Sequence, residues 1–277
     1  MIIWLASYPK SGNTLIRSIL SSYFFSNKAE FTFENLSKIT QFPRITHFQK
    51  IGVDISNMEE IFYNFINAQN LINKNKKSIK FFKTHSSFYN NDEIKFTDLN
   101  NTLGVIYIVR DPRNVVTSFA YHYNLSIEDA ANIMINKKDF RIKTPDNLSV
   151  IVGSWDVNYN SWKKFDPDKV LIIKYEDLVS KKKNIIEVIF KFLGKLGLGK
   201  LELDNAKLAN LIHTTDFSKM KNLEIQEGFK EAVMEGEKPK RFFNLGPDNK
   251  WQNLLDDKIR SKLENAFQEE MSELGYI

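Results

Sequence analysis

Hydrophobic positions follow two rhythms along this chain. Four short stretches are nearly continuous in apolar, β-branched or aromatic residues: Ile2–Ala6, Ile79–Lys83, Gly104–Val109 and Val170–Lys174. Strands of that kind are covered on both faces, whereas half-exposed strands alternate. Elsewhere the spacing changes to three and four residues, as in Met58, Ile61, Phe62, Phe65 and Ile66, or Ile185, Ile186, Ile189, Phe192 and Leu193. The same stripe recurs near the end in Leu255, Ile259, Leu263, Phe267 and Met271, and it marks amphipathic helices. Strands alternating with helices predict an α/β fold with a central, mostly parallel sheet flanked by helices. Ligands then belong beyond the carboxyl ends of the strands.

Two polar segments, 26–56 and 137–153, carry Pro43, Gly52, Pro145 and Gly153 and read as irregular or partly helical excursions. Such excursions are where substrate pockets and lids are built; the acceptor pocket is expected from 26–56 and 126–153. No internal repeat or low-complexity linker interrupts the pattern, which predicts one domain over 1–277. Trp155 and Trp162 lie seven apart on one helix face and are expected in the core.

Three predicted strand ends carry chemistry. After the first come Tyr8-Pro9-Lys10-Ser11-Gly12-Asn13-Thr14 and then the helical spacing of Leu15, Ile16, Ile19 and Leu20. A tight turn into a helix aims backbone N–H groups, the helix N-terminus and an ammonium at one spot, which suits a tetrahedral oxyanion. Gly12 allows close backbone approach, and Ser11, Asn13 and Thr14 supply donors. The lysine precedes the glycine, so G-x-x-x-x-G-K-[ST] is absent. After the second strand, Lys83 and His85 share a face while Thr84 opposes them. A cation beside an imidazole favours its neutral, proton-accepting form, making His85 a candidate general base; a hydrogen-bonded histidine at a strand end is the plainer reading, and it is the one given to His47, His122 and His213. The third strand ends in Arg110-Asp111-Pro112, with an N-cap and a first-turn proline. Arg110 is suited to bidentate contact with a phosphate, and Ser118 follows two turns on, between Val115 and His122.

Composition narrows the options. The chain has no cysteine, which removes disulfides and thiolate metal sites, and four scattered histidines do not make a metal centre. A net charge of +5 favours small anions but lacks the concentrated basic face of a nucleic-acid binder. The lysine clusters Lys74–Lys77 and Lys181–Lys183 read as solvated loop ends. The apolar start is too short for a signal sequence or a membrane span, so a cytoplasmic protein is expected.

Taken together, the three segments resemble the sulfotransferases that use 3′-phosphoadenosine 5′-phosphosulfate (PAPS). Tyr8 to Gly12 are similar to that family's Tyr-Pro-Lys-Ser-Gly loop, Lys83-Thr84-His85 to its Lys-Thr-His segment, and Arg110 with Ser118 to its arginine and serine eight apart. Tyr175-Glu176-Asp177 resembles a stretch whose tyrosine approaches the adenine, and Thr215-Asp216-Phe217-Ser218-Lys219-Met220 resembles a Thr-Ser-Phe-x-x-Met stretch that also lines it. The resemblance implies a P-loop-like three-layer fold and sulfuryl transfer to a hydroxyl or amine of a small-molecule or glycan acceptor. It implies that Lys10 neutralises the departing 5′-phosphate, Lys83 holds sulfuryl oxygens, His85 takes the acceptor's proton, and Arg110 with Ser118 holds the 3′-phosphate. Ser11, Gly12, Asn13 and Thr14 would assist Lys10, and Tyr175, Thr215 and Phe217 would surround the base. The scheme requires no metal, and 3′-phosphoadenosine 5′-phosphate is the product.

Two departures stand out. Where the family carries Arg-Lys-Gly, this chain has Asn244-Leu245-Gly246, keeping the glycine and, further on, Trp251; Lys240, Arg241 or Lys250 are the candidate replacements. Leu15 stands where many members have a tryptophan, which leaves Phe217 to stack on the adenine. Competing readings are a P-loop kinase for a nucleotide or small molecule, which would need Mg²⁺, and a non-catalytic adenine-nucleotide-binding protein, which would have no need of His85 beside Lys83.

Overall fold

In the computed structural model, residues 1–74, 78–90, 94–137, 140–144, 147–235 and 238–277 are described; Lys76, Lys77 and Pro145 lie outside them. The strands are β1 (Ile2–Ser7), β2 (Lys80–Thr84), β3 (Thr102–Val109), β4 (Arg141–Thr144), β5 (Asn147–Ile151), β6 (Val170–Lys174), β7 (Met234–Glu235) and β8 (Lys238–Pro239). β1, β2, β3 and β6 form one sheet in the order β2-β1-β3-β6, every pair parallel. These are the four strands expected from the continuous apolar runs, shifted at their ends by no more than two residues.

Both faces of the sheet are covered, which explains why its strands do not alternate. Ile2, Trp4 and Ala6, with Val105, Tyr107 and Val109, pack into one cluster that also holds Phe119 and the fully buried Trp155 and Trp162. Ile3, Leu5, Ile106, Ile108 and Ile173 point the other way, onto Ile16, Ile19 and Leu20 of the helix Asn13–Phe25 and onto Ile186 and Ile189 of the helix Lys182–Leu193. Each fully buried aliphatic side chain of this kind stabilises the fold by about 1.5–3 kcal/mol.

The helix after β1 lies on one face, and the helix after β3, Pro112–Tyr123, lies on the other through Val115, Val116 and Phe119. The carboxyl ends of β1 and β3 therefore diverge at a topological switch point, where α/β sheets bind ligands. Register keeps the strand ends level: Ala6 is opposite both Thr84 and Tyr107, and Val109 is opposite Lys174. Lys10, His85, Arg110 and Tyr175 all leave the sheet at this edge.

Two expected helices are divided. Met58–Tyr63 and Phe65–Ile72 meet at Asn64, whose side-chain amide donates to the Glu60 carbonyl at 2.9 Å, a side-chain bond that competes with helix continuation. Asp257–Ala266 and Gln268–Glu273 meet at Phe267, which leaves helical geometry (φ −119°, ψ 25°) while its ring packs on Trp155 at 5.0 Å.

The excursions also have order. The segment 26–56 contains the helices Phe33–Ser37 and Ile45–Gln49, and 126–153 contains the helix Ile127–Asn136 and the antiparallel ribbon β4–β5. The ribbon corrects the irregular reading of 137–153, and buried Leu148, Val150 and Val152 were its alternating signal. The two excursions meet beside β2: Lys83 exchanges backbone hydrogen bonds with Thr40 and Phe42, and Leu148 N–H donates to the Pro43 carbonyl at 3.1 Å.

Candidate active site

At the end of β1 the chain turns sharply. Lys10 has φ 67° and Gly12 φ 106°, left-handed conformations that glycine adopts freely and lysine only under constraint. A Cβ on Gly12 would lie 2.4 Å from Cδ2 of Tyr175, so a side chain there is barred by contact as well as by conformation. Gly12 caps the helix Asn13–Phe25 without a side-chain bond, and the first turn holds no acid. The leading N–H groups of that helix have no intrahelical acceptor, and the buried Ser11 hydroxyl is without a partner. Asn13 is differently engaged: its amide donates to the Leu5 carbonyl at 2.8 Å and the Ser7 hydroxyl at 3.2 Å, tying the helix start to β1. The Lys10 ammonium sits 4.1 Å from the centre of the Phe242 ring. Burial, and then the charge of Lys83, pushes its pKa down to about 7.

Beside this loop, Lys83 Nζ lies 2.9 Å from Glu231 Oε2; burial lowers its pKa, with the Glu231 charge opposing and the Arg17 charge reinforcing the shift. His85 Nδ1 lies 2.9 Å from the Ser7 carbonyl oxygen. A carbonyl can only accept, so Nδ1 carries the proton and Nε2 keeps its lone pair. Burial first, then the Lys83 charge, pushes the imidazole pKa down to about 3. The backbone at His85 is held as well: buried Asn158 donates to the His85 carbonyl at 3.0 Å and accepts from the Tyr107 hydroxyl at 2.8 Å.

Arg110 closes the far side. Its guanidinium donates to the carbonyls of Lys10 (3.4 Å) and Gly246 (3.1 Å) and lies 4.3 Å from the Tyr175 ring centre, while its buried Nε has no partner. Phe217 packs against Gly246, where a Cβ would meet the ring at 2.3 Å. Arg110, Tyr175, Pro247, Lys250 and Trp251 line a cavity of about 640 Å³, the size class of small-molecule sites. Lys10, Ser11, Gly12, Lys83, His85, Arg110, Tyr175, Gly246 and Phe217 are thus brought around one sheet edge. Thr14 lies buried in the first turn of its helix and Ser118 half-buried in the helix that follows Arg110.

Other residues are placed differently. The Thr215 hydroxyl donates to the Leu211 carbonyl of its own helix at 2.6 Å. Arg241 is exposed, and Lys240 donates to Asn124 at 2.6 Å; of the three candidate replacements for the missing cations, Lys250 is the one in the cavity with Arg110.

Several site residues carried no local signal. Glu231 bridges Arg17 (2.6 Å) and Lys83 (2.9 Å). Burial would raise its pKa, but those two charges hold it well below the usual carboxylate range. Glu224 accepts the backbone N–H groups of Phe242 (2.6 Å) and Phe243 (3.0 Å), which fixes the segment whose ring faces Lys10. Lys221 donates to the Asn244 carbonyl at 3.0 Å. His122, given a structural role above, packs edge-on against Phe242 at 5.9 Å; burial, then the charges of Lys10 and Lys83, pushes its pKa down to about 3.

Comparison with known proteins points the same way. The profile of the sulfotransferase domain matches residues 2–275. Flavonol 4′-sulfotransferase of Flaveria chlorifolia is 22% identical over 99% of this chain and 80% of its own length. Cytosolic sulfotransferase 5 of Arabidopsis thaliana is also 22% identical, over 99% of this chain and 80% of its own. Among solved structures, mouse sulfotransferase SULT7A1 complexed with PAP shares the fold with a TM-score of 0.58 at 21% identity, covering 98% of this chain and 83% of that one.

Proposed function

The chain belongs to the sulfotransferase domain family, and from that premise we propose that it transfers a sulfuryl group from PAPS to a hydroxyl or amine of a small-molecule or glycan acceptor. The observation that supports this most is the convergence of Lys10, Lys83 and Arg110 on one strand edge, beside an imidazole whose Nδ1 meets the Ser7 carbonyl oxygen.

In this reading the acceptor's lone pair forms the new bond to sulfur as the bridging S–O bond to the 5′-phosphate breaks, its electrons leaving on the phosphate. Such transfers depend on positioning and charge stabilisation more than on covalent help from the protein. Lys10, the leading N–H groups of its helix, and the Ser11 and Thr14 hydroxyls receive the phosphate. Lys83 holds sulfuryl oxygens, and His85 Nε2 takes the acceptor's proton. The donor's negative charge offsets the part of the His85 depression that comes from the two lysines, raising its basicity when the proton must move. Arg110 and Ser118 hold the 3′-phosphate, with Lys250 and Arg241 as further cations. Tyr175, Phe217, Gly246 and Thr215 enclose the adenine, and the segments 26–56 and 126–153 shape the acceptor side. The site residues form this scheme without a metal. Among the described residues no helix is long and apolar enough to cross a membrane, and the related plant protein is named as cytosolic; both accord with action in the cytoplasm.

The test is transfer of labelled sulfate from PAPS to a panel of hydroxyl compounds in EDTA, with thermal-shift titration by 3′-phosphoadenosine 5′-phosphate. His85→Ala is expected to lower kcat by about 10²–10⁴-fold with nucleotide binding retained. Near-full turnover by that variant overturns the assignment of the base, and a strict requirement for Mg²⁺ favours the kinase reading.

A further inference from the structure

Among the cations at the strand edge, two already have an anion. Glu231 places Oε1 2.6 Å from Arg17 Nη1 and Oε2 2.9 Å from Lys83 Nζ. The cations are fixed and largely enclosed, with side-chain exposures of 3% and 12%, while the glutamate reaches them from the solvent side at 30%. Arg17 is anchored independently, donating through Nη2 to the Ile39 carbonyl at 3.0 Å, and its buried Nε has no acceptor. Lys83 is held by the backbone of β2 and its bonds to Thr40 and Phe42. Arg17 does not need Glu231 to stay where it is, the backbone bonds fix where the Lys83 side chain starts, and together the two cations offer more donors than one carboxylate uses.

Two oxygens bridging two cations is also how part of a tetrahedral oxyanion would be held. We propose that the Glu231 carboxylate occupies the place of the donor's sulfuryl oxygens, so that PAPS binds by exchanging with it, and that Glu231 sets the relative affinity for the sulfated and desulfated nucleotides. The inference rests on the sulfuryl-transfer reading. If the carboxylate remained while a sulfuryl group approached Lys83, two anions would face one ammonium at contact distance, and their repulsion is strongest where water is scarce. The desulfated nucleotide brings no group to that position and leaves the glutamate in place. Glu231 is thus a specificity-determining residue: it disfavours the sulfated nucleotide until exchange is complete and returns as a counter-ion once the sulfuryl group has left.

Glu231→Gln keeps the shape and one acceptor oxygen but removes the charge. Binding of PAPS without acceptor, and of 3′-phosphoadenosine 5′-phosphate, would be compared by calorimetry in wild type and variant. The expected result is up to about fivefold tighter PAPS binding, the size of one modest charge interaction, with affinity for the desulfated nucleotide unchanged. Unchanged or weaker PAPS binding, or an equal change for both nucleotides, overturns the proposal. Carbodiimide labelling of Glu231 in the wild type, read by mass spectrometry, checks it without a variant: labelling should rise with PAPS and not with the desulfated nucleotide, and equal labelling overturns it. Wild type that binds both nucleotides but shows neither effect defeats the exchange alone; wild type that binds neither defeats the sulfuryl-transfer reading as well.

Discussion

After β1 the chain carries Lys10 into a helix that begins without a capping side chain or a first-turn acid; after β3 it carries Arg110 into a helix capped by Asp111, whose carboxylate accepts the Arg113 N–H at 2.9 Å. Asp111 also pairs with the Arg113 guanidinium at 2.7 Å, and Arg113 goes on to Glu264 at 2.6 Å and the Tyr276 carbonyl at 2.9 Å. Both turns read strand, cation, helix, yet their electrostatics are opposite. A helix N-terminus carries about half a positive charge, and the first turn leaves it open while the second neutralises it with its own carboxylate. The first turn keeps the N-terminus open, as the proposed donor site requires, and the second fastens the C-terminal helices to the sheet.

The largest expected effect comes from the open turn. Lys10→Met should lower kcat by about 10²–10³-fold, the usual consequence of losing one group that stabilises developing charge. Stability should be kept or improved, because the buried ammonium is costly to desolvate. Steady-state kinetics with a thermal melt reads both; a large stability loss with turnover intact would reverse the comparison.

The closed turn should behave in the contrary way. Asp111→Ala removes the cap and one partner of a buried arginine, which should destabilise the fold by about 2–4 kcal/mol in urea titration, with donor KM little altered. Donor binding lost at full stability would mean that this helix end also serves the ligand.

The smallest effect is a fraction of a proton. Lys10 is held down to about 7, so at pH 8 it is mostly neutral in the free protein, and the donor's anionic groups raise its affinity for a proton. Donor binding at pH 8 should therefore take up a proton, and the uptake should shrink towards pH 6, where the ammonium is already charged. Calorimetry in two buffers of different ionisation heat measures this. Uptake that is equal at both pH values, or that persists in Lys10→Met, removes Lys10 as its source.

Much of this contrast could be read locally. Asp111-Pro112 announces a capped helix, and Lys10-Ser11-Gly12 before an apolar-periodic segment announces a tight turn into a helix, whereas the missing cap of that helix appears only in the structure. Breaks within long stripes were less legible, because Asn64 and Phe267 fit the periodicity and interrupt it only through a side-chain bond and a ring contact. The β4–β5 ribbon was obscured by the polar residues surrounding its alternating core positions.

Residue order alone determined the four buried strands, the turns that follow them and the cations those turns carry, since each depends on neighbours within a few positions. The tertiary structure decided what answers those cations. Glu231 lies 148 residues from Lys83 in sequence, and Glu224 fixes Phe242 and Phe243 from a separate helix. Register then levels Lys10, His85 and Arg110 at one edge. Coulombic and hydrogen-bonding partners are chosen by distance in space, which the order of residues does not record.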